Sequence, residues 1–230
     1  MSIDIIYQDS DILIVDKPGG IPSVPGLNPV YSKNIYHQLL DSKPPVYVVH
    51  RLDINTSGVI VFARTREAQI NLHRQFAQRK VNKTYHAVVK RKVSSKSGEI
   101  NLPIITDWPQ KPLQKLCFIN GKPSQTIFSV LAQSNEHSLL KLTPRTGRTH
   151  QLRIHLALIG HPIVGCNLYA NSDKIYGRFT KPANMSNDKL FLHASEIQFY
   201  HPTSQKLMNA VGRHNFISMA KTQFKLNSIA

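Results

Sequence analysis

The sequence predicts an α+β fold, in which a mixed, mostly antiparallel sheet is flanked by helices and loops. Short runs of β-branched and aromatic residues outnumber helical repeats, and many of these runs are joined by turns. The 230 residues are 41% hydrophobic, and no linker is long enough to mark a domain boundary. We therefore expect one folded domain over residues 1–210. A mobile C-terminal tail is expected over residues 211–230, where no clear hydrophobic period remains.

Most of the predicted elements are strands, which are rich in apolar β-branched and aromatic residues and are bounded by turn-forming residues. In chain order they are two strands within Ile3–Val15 separated by a turn at 8–11, then Val46–Leu52, Val59–Ala63, Tyr85–Val89, Thr126–Leu131, Leu139–Thr143 and Phe191–Tyr200. Pro22, Pro25 and Pro29 predict a loop after the Lys-Pro-Gly-Gly stretch at 17–20.

One helix is predicted after the strand Val59–Ala63. Thr65 is expected to cap this helix, which runs to about Lys80. Its buried stripe is formed by Ala68, Leu72 and Phe76, because these apolar residues recur every four positions.

A second helix is predicted over Arg148–Ile159. Leu152, Leu156 and Ile159 are expected to share its inward face, and Gly160 is expected to follow its last turn. Between the two helices, the segment 94–123 contains four prolines and two glycines. This composition predicts an irregular excursion that does not form a second core.

The charge balance is strongly basic. The chain has 29 Lys and Arg residues against 13 Asp and Glu residues, a net charge of +16 and a pI near 10.0. Such a field attracts polyanions, and nucleic acid is the partner that this balance favours. Nine of the basic residues fall in Arg64–Lys92, together with one acid, Glu67. A phosphate-binding surface and a solvated helix face would both produce this cluster.

The cysteine and histidine pattern favours neither a disulfide framework nor a metal site. Cys117 and Cys166 are far apart and outside any Cys-x-x-Cys spacing. His150 and His155 are five residues apart and lack a third ligand. We therefore expect no structural metal.

The N-terminus lacks the basic stretch that begins a secretory signal peptide, and it has an acid at Asp4. No apolar run approaches the length of about 20 residues that a membrane-spanning helix needs. Two unpaired cysteines suit a reducing compartment. We therefore expect a cytoplasmic protein that has no membrane partner.

The segment His50–Gly58, with the sequence HRLDINTSG, places a carboxylate at the turn between two predicted strands. Arg51 lies two residues before Asp53, and the small residues Thr56 and Gly58 allow another backbone to come close. In a basic protein, Asp53 is either a nucleophile or base that acts on a polyanion or a turn residue that binds its own backbone. The local chemistry does not decide between them.

The same segment invites comparison with the catalytic loop of protein kinases, H-R-D-L-x-x-x-N. Leu52 separates Arg51 from Asp53 here, which breaks that motif. The chain also lacks a glycine-rich phosphate loop, a V-A-I-K strand and a D-F-G motif. A kinase is therefore excluded.

Two further segments contain candidate site residues. In TGRTHQLRIHL at 146–156, Gly147 and Arg148 at a helix start would suit phosphate, and Arg153 would suit a carboxylate. The alternative is an amphipathic helix with a solvated polar face. Tyr85 is either a plain strand aromatic or a platform on which an unpaired base stacks.

Taken in order and spacing, these segments resemble the RluA-type family of RNA pseudouridine synthases. The matching motifs are H-R-L-D-x-x-T-S-G at 50–58, K-x-Y at 83–85, G-R-T-H-Q-L-R-x-H at 147–155 and G-H-P-I-x-G at 160–165, with weaker matches at Lys17–Gly19 and Leu192–Ala194. The resemblance covers about Ile5 to Pro202, and a joint chance match is very improbable. It implies the pseudouridine synthase catalytic fold over residues 1–210.

The resemblance also implies residue roles. Asp53 would be the catalytic aspartate, Tyr85 the aromatic that packs on the flipped base, and Arg153 the partner of the aspartate. Arg51 would enter the RNA stem as the uridine leaves. The other motif positions implied in substrate binding are Thr56, Gly58, Arg148, Gln151 and Leu192. Pseudouridine formation rearranges a uridine without oxidising it, so no cofactor is expected.

Segments at 102–109 and 121–126 resemble the short, single-domain RluA subgroup, which acts on a 23S rRNA uridine and on anticodon-loop uridines of tRNAs. We accordingly expect RNA as the partner, no N-terminal S4-like domain and no obligate protein partner. Two departures from the family pattern stand out. Cys166 occupies a position where the family usually has Asp, and residues after about Met208 do not match. The alternative function is a non-catalytic RNA-binding module or chaperone on the same scaffold.

Overall fold

The computed structural model describes residues 3–26, 32–169 and 189–229. The chain forms two compact units, an arrangement that the sequence does not predict. The first unit comprises Met1–Thr84 with His193–Asn215, and the second comprises Tyr85–Leu192 with Phe216–Ala230. The predicted α+β class is confirmed, because strands dominate both units and most strand pairs are antiparallel.

The elements in the described residues are thirteen strands and four α-helices. The strands are β1 (Asp4–Gln8), β2 (Ile12–Lys17), β3 (Tyr47–Val48), β4 (Ser57–Ala63), β5 (Asn82–Lys90), β6 (Ser97–Asn101), β7 (Ile104–Thr106), β8 (Gln114–Leu116), β9 (Gln125–Gln133), β10 (His137–Pro144), β11 (Leu192–Tyr200), β12 (Leu207–Val211) and β13 (Asn227–Ser228). The helices are α1 (Ile35–Ser42), α2 (Arg66–Ala77), α3 (Gln151–Leu158) and α4 (Phe216–Phe224). None of these helices is long and apolar enough to cross a membrane.

The first unit is built on the strand order β1-β2-β4-β11. β2 pairs with β1 and β4 in antiparallel fashion, whereas β11 joins β4 in parallel. β3 pairs with the end of β4, and β12 pairs with β11. Five of the six residues of β2 and six of the seven residues of β4 are buried, and burial of consecutive residues is typical of strands covered on both faces.

Helix α2 forms as its sequence predicts. The hydroxyl of Thr65 accepts the Ala68 N–H at 3.0 Å, and this satisfies one of the open donors at the helix start. Ala68 and Leu72 are buried in the core of the first unit, with Phe76 partly buried beside them. The helix ends at Ala77, three residues before the predicted end.

The second unit has the antiparallel strand order β5-β10-β9-β13, with β6 also paired to β9. Helix α3 lies in its core, and seven of its eight residues are buried. It begins at Gln151 instead of the predicted Arg148, because His150 has a left-handed backbone with φ +54°. Gly160, with φ +85°, follows the last turn as predicted. Ile159 was expected to face inward, but the helix ends one residue earlier, and Ile159 lies at the cap position and is exposed.

Two segments differ from their predicted structure. The predicted strand Val46–Leu52 is reduced to the two residues of β3, and residues 49–56 have no regular structure. The expected excursion 94–123 contains β6, β7 and β8, and its residues Ile104 and Leu113 belong to the core of the second unit. Its prolines limit strand length there without preventing pairing.

The predicted C-terminal tail also differs. Residues 211–229 include the end of β12, helix α4 and β13. Phe216, Ala220 and Leu226 are buried in a cluster with residues of the second unit. Only two of the nine residues of this helix, Phe216 and Ala220, are buried, so its apolar stripe is too short to stand out in the sequence. Helix α1 escaped prediction for the same reason, although Asn34 caps it through the His37 N–H at 2.9 Å.

Candidate active site

In the first unit, Asp53 lies on an irregular loop between β3 and β4. Its side chain is partly buried. Its main-chain carbonyl accepts the N–H of Thr56 at 3.1 Å, which closes a turn directly before β4. The predicted turn at this position is therefore present, although the strand expected before it is not.

A buried lysine, Lys17, binds the main-chain carbonyl of Ile54, the residue that follows Asp53. The ammonium of Lys17, at the end of β2, is fully buried and donates to the carbonyls of Pro18 at 2.9 Å, Ile21 at 2.7 Å and Ile54 at 2.9 Å. The Gly20 N–H donates to the same Ile54 carbonyl at 2.9 Å. These bonds tie the Lys-Pro-Gly-Gly loop to the Asp53 turn.

The charge of Lys17 depends on two opposing effects. Burial lowers its pKa to about 7, because a low-dielectric surrounding disfavours the ammonium form. The negative charge of Asp53 works against this and raises the Lys17 pKa. The three carbonyl contacts also favour the ammonium, since only the charged form supplies three N–H donors.

His50 is a structural residue of the same loop. Its Nε2 accepts the Val61 N–H at 3.0 Å, and its ring lies 4.9 Å from that of Phe76. Burial and, to a smaller extent, the charge of Lys83 together lower the pKa of His50 to about 3. At neutral pH His50 is therefore an uncharged acceptor. Arg51, the next residue, is exposed.

Thr56 and Gly58, predicted as substrate-binding positions, are both buried. Gly58 pairs with Ala194 of β11 and has φ +113°. A Cβ atom there would collide with the Ala194 carbonyl, so only glycine fits this approach. Beside it, Ser57 Oγ lies 2.9 Å from His193 Nδ1. These contacts fix the start of β4, directly after the Asp53 turn.

In the second unit, Arg153 projects from α3 into a buried environment. Its side chain is almost wholly covered, and its Nε donates to the sulfur of Cys166 at 3.3 Å. The ring of Tyr169 lies 5.7 Å from the guanidinium, within cation–π range. The Tyr169 hydroxyl is 2.9 Å from His150 Nδ1 and accepts the Gln114 N–H at 2.9 Å, which fixes the ring.

Gln151 joins the start of α3 to the strands. Its Oε1 accepts from the hydroxyl of Thr146 at 2.7 Å and from the Arg148 N–H at 3.0 Å. Its Nε2 donates to the Gln125 carbonyl at 2.9 Å and to the Thr126 hydroxyl at 3.1 Å. The Arg148 N–H, expected to face phosphate, is therefore engaged within the fold, while the Arg148 side chain is exposed.

Tyr85 of β5 and Leu192, the first residue of β11, belong to the second unit. Tyr85 is partly buried and pairs with Leu142 of β10, whereas Leu192 belongs to the core. Asp53, Arg51, Thr56 and Gly58 thus belong to the first unit, and the remaining predicted site residues to the second. No group of three His, Cys, Asp or Glu side chains in residues 3–26, 32–169 and 189–229 has the geometry of a metal site.

Comparison with known proteins decides the family. Residues 11–158 match the family of RNA pseudouridylate synthases. The chain is 43% identical over 209 residues to "Dual-specificity RNA pseudouridine synthase RluA" of Vibrio parahaemolyticus, a match that covers 89% of the chain and 80% of the relative. It is 40% identical over 199 residues to the protein of that name from Escherichia coli K12, covering 86% and 87%. The chain belongs to the RNA pseudouridylate synthase family.

Two solved structures have the same fold as this chain. The match to Human RNA Pseudouridylate Synthase Domain Containing 1 spans 100% of this chain and 90% of the human chain, with a TM-score of 0.76 and 24% identity. The match to Human RNA Pseudouridylate Synthase Domain Containing 4 spans 99% of this chain and 95% of the human chain, with a TM-score of 0.74 and 22% identity. The fold expected from the sequence resemblance is therefore confirmed.

Sequence reasoning on this pseudouridylate synthase missed the residues that hold the Asp53 turn. The sequence indicates Lys17 only through a Lys-Pro-Gly match, and it gives no signal for Ser23, whose hydroxyl donates to the Leu52 carbonyl at 2.9 Å. A lysine that ends an apolar strand is the one available signal, since lysine is rarely buried without partners. Cys166, which departs from the usual Asp of the family, supplies its sulfur as the acceptor for the Nε of Arg153.

Proposed function

We propose that this protein isomerises specific uridines to pseudouridine in 23S rRNA and in the anticodon stem-loops of tRNAs, with Asp53 as the catalytic carboxylate. The observation on which this depends most is the Asp53 turn, in which a partly buried carboxylate lies within the motif match at 50–58. Relatives named for dual specificity, at about 40% identity, support two classes of RNA substrate. The proposed location is the cytoplasm.

The reaction explains why a carboxylate is needed and a redox cofactor is not. The bond between N1 of uracil and C1′ of ribose breaks, the base turns, and C5 bonds to C1′. C5 loses a proton and N1 gains one, so nothing is oxidised. A carboxylate serves this chemistry as a nucleophile on the base, as a nucleophile on the sugar or as a base that removes a sugar proton. All three routes are compatible with Asp53.

Access to the uridine requires that the nucleotide leave the stack, at a cost of a few kcal/mol. Tyr85 is proposed as the aromatic that packs on the flipped base, which would offset about 1–3 kcal/mol. Arg51 is proposed to enter the stem in its place, and its exposure suits that role. Arg153 is proposed as the counter-charge of the aspartate, and its burial suits a cation that serves an anion at low dielectric.

The basic surface is proposed to hold the phosphates that flank the uridine. Seven of the nine basic residues in Arg64–Lys92 are exposed, namely Arg66, Arg74, Arg79, Lys80, Lys90, Arg91 and Lys92. Exposed cations of this kind bind phosphate through charge and release counterions, so the affinity for RNA should fall with salt.

Pseudouridine mapping of total RNA tests this function directly. RNA is compared from cells that lack the protein, cells that express it and cells that express Asp53→Asn at an equal level. We expect one or more rRNA and tRNA sites to be modified only with the intact protein. Equal modification with Asp53→Asn would overturn the catalytic assignment. Identical maps in all three strains would instead favour a non-catalytic RNA-binding protein.

A further inference from the structure

Ser23 forms two hydrogen bonds to one residue of the loop that contains Asp53. It lies in the loop after β2 and is almost fully buried. Its hydroxyl donates to the carbonyl of Leu52 at 2.9 Å and accepts the Leu52 N–H at 3.1 Å. A single side-chain oxygen thus binds both main-chain groups of the residue that precedes Asp53.

The residue on the other side of Asp53 is held by the same segment of the chain. The Ile54 carbonyl accepts from the Lys17 ammonium and from the Gly20 N–H, both at 2.9 Å. The Asp53 carbonyl accepts the N–H of Thr56 at 3.1 Å. Residues 52, 53 and 54 are therefore each bound through the main chain, two of them by residues 17–23.

These bonds matter because no strand fixes this part of the chain. β3 ends at Val48 and β4 begins at Ser57, so Leu52, Asp53 and Ile54 make no ladder hydrogen bonds. The position of the Asp53 Cα then depends on tertiary contacts. Misplacing a reacting group by about 1 Å costs on the order of 100-fold in rate, so small movements of this turn have measurable consequences.

We propose that Ser23 is a positioning residue for pseudouridine formation, which sets the place of Asp53 by holding both main-chain groups of Leu52. This inference rests on the proposed catalytic role of Asp53. Ser23 is almost fully buried and its hydroxyl is engaged by Leu52, so its loss should lower the rate of the chemical step and leave the affinity for RNA unchanged.

The test compares single-turnover rates of Ser23→Ala and the intact protein, with enzyme in excess over a uridine-containing stem-loop. We expect the rate to fall about 10-fold or more, since a loosened turn samples the productive position less often. The dissociation constant for the stem-loop should stay within about twofold. Ser23→Thr keeps the hydroxyl and should recover most of the rate.

Ser138 provides a matched control. It is fully buried in the second unit, where its hydroxyl donates to the Arg91 carbonyl at 3.1 Å and accepts the Val93 N–H at 3.0 Å. Ser138→Ala removes the same kind of bridge away from Asp53. It should lower the urea midpoint as much as Ser23→Ala does, with a single-turnover rate within about twofold of the intact protein.

The outcomes separate this inference from the proposed function. If Ser23→Ala and Ser138→Ala lose equal stability and both keep the full rate, Ser23 stabilises the fold only and the inference is wrong. If Ser23→Thr is as slow as Ser23→Ala, the hydroxyl is not responsible and the inference is also wrong. An Asp53→Asn protein with full activity would overturn the proposed function instead, whatever Ser23 does.

Discussion

Asp53 and Arg153 are held by different means. Asp53 lies on a loop without regular structure, where the residues on either side of it are bound through hydrogen bonds from Ser23 and Lys17. Arg153 lies on α3, a helix of eight residues of which seven are buried, and its side chain contacts a thiol and an aromatic ring. Asp53 is therefore positioned by hydrogen bonds from residues 17–23 to its neighbours in the chain, whereas Arg153 is positioned by the packing of α3.

This difference predicts how each region responds to substitution. Packing is spread over many contacts, so a helix residue tolerates small changes in its neighbours. A loop that depends on a few buried hydrogen bonds loses much of its order when one of them is removed, because the remaining polar group is left unsatisfied. Substitutions around Asp53 should therefore affect the rate of reaction more than their effect on stability suggests.

Gly58→Ala should have the largest effect, because it disturbs the exit of the Asp53 turn. The new Cβ would collide with the Ala194 carbonyl at φ +113°. We expect a loss of about 4 kcal/mol in the free energy of unfolding or a failure to fold, measured by urea denaturation. Gly20→Ala is the control, because Gly20 has φ +88° with open space around it, and should cost only about 1 kcal/mol of strain. Equal losses in the two variants would show that β11 does not constrain the turn.

Arg153→Ala should come next, with a single-turnover rate lowered by about 100-fold, near 3 kcal/mol. The reason is the loss of the proposed counter-charge of the aspartate. Arg153→Lys keeps the charge but loses the planar fork, so we expect partial recovery. Arg148→Ala removes an exposed arginine close to the same helix and should weaken RNA binding alone. A rate that is unchanged in Arg153→Ala, with weaker binding only, would contradict the counter-charge role.

The smallest expected effect is on the pH dependence of stability, which comes from buried histidines in the two regions. The pKa of His50 is lowered to about 3 in the folded protein, against about 6.5 in the unfolded chain. The unfolded state therefore binds more protons, and stability that is present above pH 6.5 is lost as the pH falls toward 3. Between pH 6 and 5 the free energy of unfolding of the intact protein should fall by about 1 kcal/mol more than that of His50→Gln.

Burial also lowers the pKa of His155 in α3, so that helix should contribute to acid sensitivity in the same direction. His73→Gln is the control for His50→Gln, since His73 is exposed on α2. Urea midpoints across pH 7 to 5 give the slopes. If His50→Gln keeps the slope of the intact protein, the ring is not held in its neutral form by burial.

Much of the fold follows from local patterns in the sequence. The cap at Thr65 and the stripe of Ala68 and Leu72 lie within one helix, so their spacing alone predicts α2. The pairing of β9 with β10 likewise follows from two apolar runs that are close in the sequence, although the shift of register at Leu139 and Leu140 does not. The sequence does not predict α1, α4 and β6, because each has only one or two buried residues among those described and so shows no clear apolar period.

The candidate site is only half predictable for a related reason. The motif at 50–58 identifies Asp53. The apolar segment before it, Val46–Leu52, has the composition of a strand, but only Tyr47–Val48 form one. Leu52 is instead bound by Ser23, 29 positions earlier in the chain. The three carbonyls around Lys17 also come together only when the loop folds. No local period contains such contacts, so the support of the turn had to come from the structure.

The most direct test of the central claim is the single-turnover conversion of a uridine-containing anticodon stem-loop by the intact protein and by Asp53→Asn. Asn keeps the size of the side chain and removes its charge and basicity. We predict complete conversion by the intact protein, a rate at least about 1000-fold lower for Asp53→Asn, and dissociation constants within about threefold of each other. Conversion by Asp53→Asn at the rate of the intact protein would contradict the account.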